Sequence, residues 1–354
     1  MKPFLSSVIL VLPLALFASC MSTVYKDMYP TLLDGRYDSE FPYRGCSKQL
    51  EEVAETVTRI TVMAHYKTYS FQRSDSVRRS DITKAFLDRL EPIAAYRHYS
   101  AAGTGTIIYK AHNRIGVLTC AHVVDYADTL ESFYLGSDYR TTPYLRSIAL
   151  KTNQLMFLNE IAGGTTLEIL AFDRTTDLAI LGQELTENRD VLVKVFRYPL
   201  GRAKQLEWGS FVYLFGYPSG YRMVTKGIVS LSSRPSQGSF VIDAVVSPGS
   251  SGSIALAIRD GVPNFELVGI IKMIPAQLWY ILAPEKEGSV EYDPMEPYHG
   301  EVFVQRKSEF QQGIAVAIPI ETVVAFLYRN QSQLNRKGYD IIGWLDPPKP
   351  PPNE

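Results

Sequence analysis

From residue 53 onward the chain alternates short runs of apolar, β-branched residues with clusters of Gly, Pro, Asn and Asp. The run 53–63, Val-Ala-Glu-Thr-Val-Thr-Arg-Ile-Thr-Val-Met, predicts a strand. Similar runs recur at 105–109, 116–119, 145–150, 167–172, 178–181, 211–215, 223–230, 240–246, 267–273 and 314–318. Short strands set apart by turn residues predict an all-β barrel or sandwich. Two stretches break that rhythm. Residues 72–100 are charged and predict one helix over 81–95, apolar at Ile82, Phe86, Leu90 and Ile93, inserted between strands. Residues 320–329 predict a second helix with Val323, Val324 and Leu327 on one face. The Pro-rich tail 346–354 cannot hold a core and is expected to be disordered.

The N-terminal pattern is different. Lys2 supplies a positive start and residues 4–17 are almost wholly apolar. As a helix they would span about 21 Å, short of a hydrocarbon core of about 30 Å, which fits a secretory signal better than a membrane span. Phe17-Ala18-Ser19-Cys20 resembles the lipobox of bacterial lipoproteins, in which the cysteine is acylated and becomes the mature N-terminus. That resemblance implies a signal peptide over 1–19, lipidation at Cys20 and a lipid-anchored protein of the cell envelope. With Met21 and no acid after the cysteine, the outer membrane, facing the periplasm, is favoured over the inner. Ordinary cleaved secretion and a retained anchor are the alternatives. Residues 20–52, polar and irregular, read as a tether.

Composition narrows the function. With 36 basic and 37 acidic residues and a formal charge of −1, the chain lacks the basic excess of a nucleic-acid binder. Three cysteines among 354 residues make neither a disulfide scaffold nor a four-thiolate zinc site. None of the five histidines pairs with another His or a Cys at metal-ligand spacing, so neither a metal nor a cofactor is expected.

One histidine stands out. His122 follows the apolar run Ile115-Gly116-Val117-Leu118, a strand end where histidines are ordinarily structural. Asp177 directly precedes the strand Leu178-Ala179-Ile180-Leu181, where a carboxylate can be held partly buried and needs a partner such as an imidazole N–H. Asp173 is the rival acid and reads as solvated. Ser247-Pro248-Gly249-Ser250-Ser251-Gly252-Ser253 also follows a strand, and its glycines permit a tight loop that aims N–H groups at a serine hydroxyl. His122, Asp177 and Ser251 in that order supply a base, its orienting acid and a nucleophile. The α/β-hydrolase order, which would enlist Ser251, Asp293 and His299, fails because Ser253 breaks Gly-x-Ser-x-Gly and strands do not alternate with helices.

Gly103-Thr104-Gly105-Thr106-Ile107-Ile108 and Leu118-Thr119-Cys120-Ala121-His122 resemble the first barrel of chymotrypsin-fold serine proteases, most closely the bacterial HtrA/Deg branch. Asp177-Leu-Ala-Ile-Leu, Gly216-Tyr217-Pro218, Val224 to Ser230, Asp243 to Ser251, Val268-Gly269-Ile270 and Ala315 to Ile320 continue the match in order, over roughly 53–330. The resemblance implies two six-stranded antiparallel β-barrels with a C-terminal helix, a protease domain over 53–345, and insertions at about 72–100 and 274–312. It assigns His122 as general base and acid, Asp177 as its partner, Ser251 as nucleophile, and the N–H groups of Gly249 and Ser251 as the oxyanion hole. Val245, six residues before the nucleophile, is expected at the base of the first specificity pocket. Polypeptides are the implied substrates, and a homo-oligomer is implied because many relatives are trimers.

The sequence also departs from that family. Ser247, Ser250 and Ser253 replace residues of the usual Asn-Pro-Gly-Asn-Ser-Gly-Gly loop, and Ser253 in place of glycine threatens to crowd it. About 25 residues follow Arg329, too few for a PDZ domain. The expected function is a serine endopeptidase of the envelope; the alternative is a protease-fold binding module without catalysis. Cys120 is expected to be inert packing, with a Cys46–Cys120 bridge left open.

Overall fold

The computed structural model describes residues 33–42, 45–138, 140–161, 165–185, 193–234, 238–273, 276–284, 295–310 and 313–345. The signal peptide expected over 1–19, Cys20, Asp293 and the tail 346–354 lie outside them. Two antiparallel β-systems dominate, both built from the alternation seen in the sequence.

The second is the barrel that was expected. Strands β8 (Phe211–Gly216), β9 (Met223–Arg234), β10 (Ser239–Ala244), β11 (Ile254–Ile258), β12 (Phe265–Met273) and β15 (Gly313–Pro319) close in the order β10-β15-β12-β11-β8-β9. Every residue of β11 is buried, because β8 and β12 flank it on both edges. Residues 274–312 do intervene between two barrel strands, β12 and β15. They carry a separate two-stranded sheet, β13 (Ala276–Ala283) on β14 (Phe303–Phe310).

The first system corrects the expected pair of equal barrels. It is a seven-stranded curled sheet, ordered β4-β5-β1-β2-β3-β7-β6, in which β4 (Thr129–Leu135) and β6 (Glu168–Asp173) are the edges. The remaining members are β1 (Val57–Ser70), β2 (Ala95–Ala111), β3 (Arg114–Cys120), β5 (Thr141–Leu158) and β7 (Leu178–Glu184). The cause is strand length. β1 pairs with β2 from Val57↔Thr106 to Thr68↔Ala95 and with β5 from Ile60↔Leu158 to Ser70↔Ser147. This ribbon runs out of the main core and encloses a small core of its own, with Tyr69, Phe71, Val77, Leu145 and Ile148 at its centre. The helix expected over 81–95 shortens to α2 (Lys84–Leu90), started by Thr83 accepting from the Phe86 N–H (3.2 Å) and followed by a single turn at Glu91–Ile93 that contains Pro92. Ile82, Phe86 and Leu90 face the small core, whereas Ile93 is exposed.

The segment expected to be a tether is partly structural. Asp38 donates its N–H to Ile258 and accepts from Phe211. The Tyr37 ring lies 4.0 Å from the Arg259 guanidinium carbon, and its hydroxyl donates to Glu266 (2.7 Å) and accepts from the Arg202 N–H (2.7 Å). Helix α1 (Ser47–Ala54) then leads into β1 with Val53 buried. At the other end, the helix expected over 320–329 extends to Arg336 as α4 (Ile320–Arg336). It joins the two systems: Ile320, Val323, Phe326 and Leu327 enter the core that both share, and Gln333 donates to the Leu170 carbonyl of β6 (2.7 Å). No helix among the described residues is long and apolar enough to cross a membrane.

Candidate active site

β3 is buried from Ile115 to Cys120 and delivers the chain into α3 (Ala121–Val124). In that turn Ala121, Val123 and Val124 take the inward positions, so His122 is left facing out, with its side chain 47 % exposed. Gly103 permits this, since a Cβ there would lie 2.7 Å from the Val123 methyls.

Asp177 ends a turn organised by Asp173, whose Oδ1 accepts from the N–H groups of Thr175 (2.8 Å) and Thr176 (3.3 Å) while Oδ2 meets Arg329 (3.3 Å). Asp173 is therefore a structural acid rather than the solvated one expected. Asp177 itself has φ +59°, a conformation in which its carbonyl accepts from the Ala121 N–H (3.1 Å) and its side chain reaches across to the next residue. Its carboxylate accepts from the His122 backbone N–H (2.9 Å) and lies 2.8 and 3.0 Å from His122 Nδ1. The Cys120↔Leu178 pairing of β3 with β7 fixes this approach. On the other side of the ring, His122 Nε2 stands 2.8 Å from Ser251 Oγ. The three residues singled out from sequence thus meet in one hydrogen-bonded line.

The serine loop is held from two directions. Gly249 (φ +102°) and Gly252 (φ +91°) are obligatory: a Cβ would lie 2.4 Å from the Tyr217 carbonyl oxygen at the first and 1.9 Å from the Thr104 carbonyl oxygen at the second. Within the loop the Ser250 N–H donates to Ser247 and the Ser253 N–H to Ser250. Among the described residues the N–H groups of Gly249 and Ser251 have no backbone acceptor. Two such donors beside a serine oxygen can receive a developing oxyanion.

Thr104 is the residue that sequence reading passed over, although it stands in the quoted Gly103-Thr104-Gly105 run. Its N–H donates to the Ser251 carbonyl (2.8 Å). Its hydroxyl donates to the Gly249 carbonyl (2.8 Å) and accepts from the Tyr217 N–H (2.9 Å). One β2 side chain therefore ties the serine loop to the first sheet. Ser253 does not crowd the loop: it is buried, with Oγ 3.4 Å from Thr104 Oγ1, in space left by Gly216.

The cysteines fall outside the chemistry. Cys46 and Cys120 are both free and buried. Cys120 donates to the Ile271 carbonyl (3.3 Å), and burial, reinforced by the Asp177 charge, pushes its thiol well up. Cys120, His122 and Asp177 do bring ligand atoms within 4.8 Å of one another, a clustering the sequence spacing hides. A thiol held protonated is a poor ligand, however, and both carboxylate oxygens already face His122.

His122, Asp177, Gly249 and Ser251 line a cleft of about 630 Å³ together with Ala101, Ala102, Val123, Pro248 and Lys272. A recess of about 450 Å³ in the ribbon lobe is lined by Ser70, Ser132, Ser147 and Glu131 among others, but Glu131 pairs with Arg79 (3.1 Å). Val245, expected at the base of the first specificity pocket, stands at the surface. After β10, Ala244 and Val246 turn inward and Val245 outward, leaving it 72 % exposed and outside the lining of the cleft. Trp279 and Tyr280 of β13 are exposed and do not line the cleft either.

Comparison with curated proteins finds no match to this sequence. Among solved structures, the crystal structure of the serine endoprotease from Yersinia pestis is similar at 17 % identity, covering 85 % of this chain and 70 % of that one with a TM-score of 0.41. Residues 103–270, which hold His122, Asp177 and Ser251, match the trypsin-like peptidase domain.

Proposed function

We propose that this chain is a serine endopeptidase with a chymotrypsin-like arrangement, hydrolysing exposed or unfolded polypeptide segments through an acyl-enzyme. The observation that carries the reading is the unbroken line from Asp177 to His122 Nδ1 (2.8 Å) and from His122 Nε2 to Ser251 Oγ (2.8 Å). Ser251 Oγ attacks the scissile carbonyl carbon as its proton passes to His122 Nε2, and the carbonyl electron pair moves onto oxygen. Asp177 holds the imidazole in the tautomer that leaves Nε2 free to accept, then stabilises the imidazolium. The Gly249 and Ser251 N–H groups stabilise the oxyanion; losing one such donor typically costs about 2.7–4 kcal/mol. Collapse expels the amine, which takes the proton from His122. Water, deprotonated by the same imidazole, then releases the acyl group as a carboxylate and restores Ser251.

The binding-module alternative rested on Ser253 crowding the loop; the space beside Gly216 supports the enzyme instead. The envelope location, with Cys20 lipidated, belongs to the same proposal and rests on the lipobox resemblance. Wild type should incorporate labelled palmitate and Cys20→Ser should not; a wild type that takes up no label would count against the anchor. A fluorophosphonate probe tests the chemistry. Wild type should label and Ser251→Ala should not, whereas equal labelling of both, or of neither, would sink the assignment.

A further inference from the structure

Lys272 is the residue of the cleft for which the catalytic line has no use. It is the penultimate residue of β12, half-buried, and lines the same cleft as His122, Asp177 and Ser251. Its backbone neighbour is fixed to the nucleophile loop. The Ile271 N–H donates to Ser253 (2.8 Å), and the Ile271 carbonyl accepts from the Gly252 N–H (2.8 Å) and from Cys120. Because Ile271 is fully buried, the backbone of Lys272 is held at the cleft wall.

The charges around it are already committed. Arg174, the other basic residue of the lining, sets its guanidinium against both oxygens of Asp125, each at 2.7 Å. The carboxylate of Asp177 faces His122. The Lys272 ammonium makes no hydrogen bond or ion pair with a described residue; its field reaches the buried Cys120 thiol, where it works against the effect of burial. The remaining wall, Ala101, Ala102, Val123 and Pro248, is small and without charge. When a peptide fills such a cleft and expels water, an ammonium without an anion loses hydration and gains nothing in return. An acidic side chain on the peptide restores a charge-assisted hydrogen bond, and a basic one adds repulsion.

We propose that Lys272 makes this cleft select substrates with a Glu or Asp side chain close to the scissile bond, at the position that lies against β12. The inference rests on the peptidase reading. It places a charge preference on β12, away from Val245.

The test uses the full chain and quenched peptides of one apolar sequence, with Glu, Gln or Lys placed at each position on either side of the cleaved bond. Within each enzyme the ratio of kcat/KM for Glu over Gln is read, so differences in overall activity cancel. At one position wild type should favour Glu by about tenfold and disfavour Lys, the scale of a hydrogen bond to a charged group. Lys272→Arg should keep the preference and Lys272→Glu should reverse it. Lys272→Met, which keeps the aliphatic stem, should bring the ratio near one and serves if the charge reversal does not fold. A ratio near one at every position in wild type that labels with fluorophosphonate, or a Glu preference unchanged in Lys272→Met, would overturn the role of Lys272 alone. Wild type that fails to label would overturn the peptidase reading and this inference together.

Discussion

Gly216 and Ser253 occupy one space between them: a Cβ at position 216 would lie 1.8 Å from the Ser253 hydroxyl oxygen. Ser253 thus fits in the loop because the barrel strand opposite carries no side chain at position 216. Gly216→Ala is expected to destabilise the fold by about 1–3 kcal/mol in urea unfolding, the usual scale of overpacking. Adding Ser253→Gly should recover most of that loss. If the two losses simply add in a double-mutant cycle, the side chains do not compete.

In the proposed reaction Asp177 acts through its contacts with the backbone N–H and ring of His122 rather than through its charge alone. Asp177→Asn should leave the far-ultraviolet circular dichroism unchanged while slowing fluorophosphonate labelling by up to about 10⁴-fold, since the amide stabilises the wrong tautomer. A variant that labels at the wild-type rate would remove Asp177 from the line.

Thr104 predicts a separation between shape and hydroxyl. Thr104→Val preserves volume but strands the Tyr217 N–H and the Gly249 carbonyl, at a cost of about 1–3 kcal/mol each when buried. Labelling of Ser251 should slow with it, and Thr104→Ser should restore both stability and labelling. Equal behaviour of the Val and Ser variants would show that the hydroxyl does not position the loop.

Asp38, in the strap on the second barrel, predicts a pH dependence of stability. Burial pushes its carboxyl up to about 6; the Gly261 N–H works the other way, and Glu40, Asp260 and Asp34 add to the rise. Its Oδ1 has no partner among the described residues. The folded value lies above the unfolded one of about 3.9, so the native state binds the proton more tightly. The contribution of Asp38 is therefore most favourable below about pH 4 and declines as pH rises to about 6, after which it is constant. Relative to wild type, Asp38→Asn should gain stability through that window and remain more stable near neutral pH. A difference between the two that does not change with pH would refute it.

The line of Asp177, His122 and Ser251 was legible because each member lies close to one end of an apolar run and beside a residue type with a stereotyped backbone role. The second barrel was legible in part: β8, β9, β10, β12 and β15 fall on apolar runs set apart by turns, whereas β11, buried at every residue and close behind the serine loop, shows no alternation and falls on none of them. The ribbon was not. Residues 95–100 of β2 are exposed, and the pairing with β1 rather than burial makes them a strand, so their sequence carries no alternation to read. The strap at Tyr37 and Asp38 is satisfied by Glu266, Arg202 and Gly261, partners too distant in sequence for any local pattern to announce. The exposure of Val245 was not legible from its fixed offset to Ser251, because it follows the local alternation that turns Ala244 and Val246 inward.

β2 is a single strand from the lobe to the nucleophile loop, paired with β1 without a bulge between Thr106 and Ala95. Tyr96 at its outer end and Thr104 at the serine loop are joined by about 27 Å of extended backbone, at about 3.4 Å per residue. The lobe and the hold on the carbonyls of Gly249 and Ser251 are thus two ends of one uninterrupted strand.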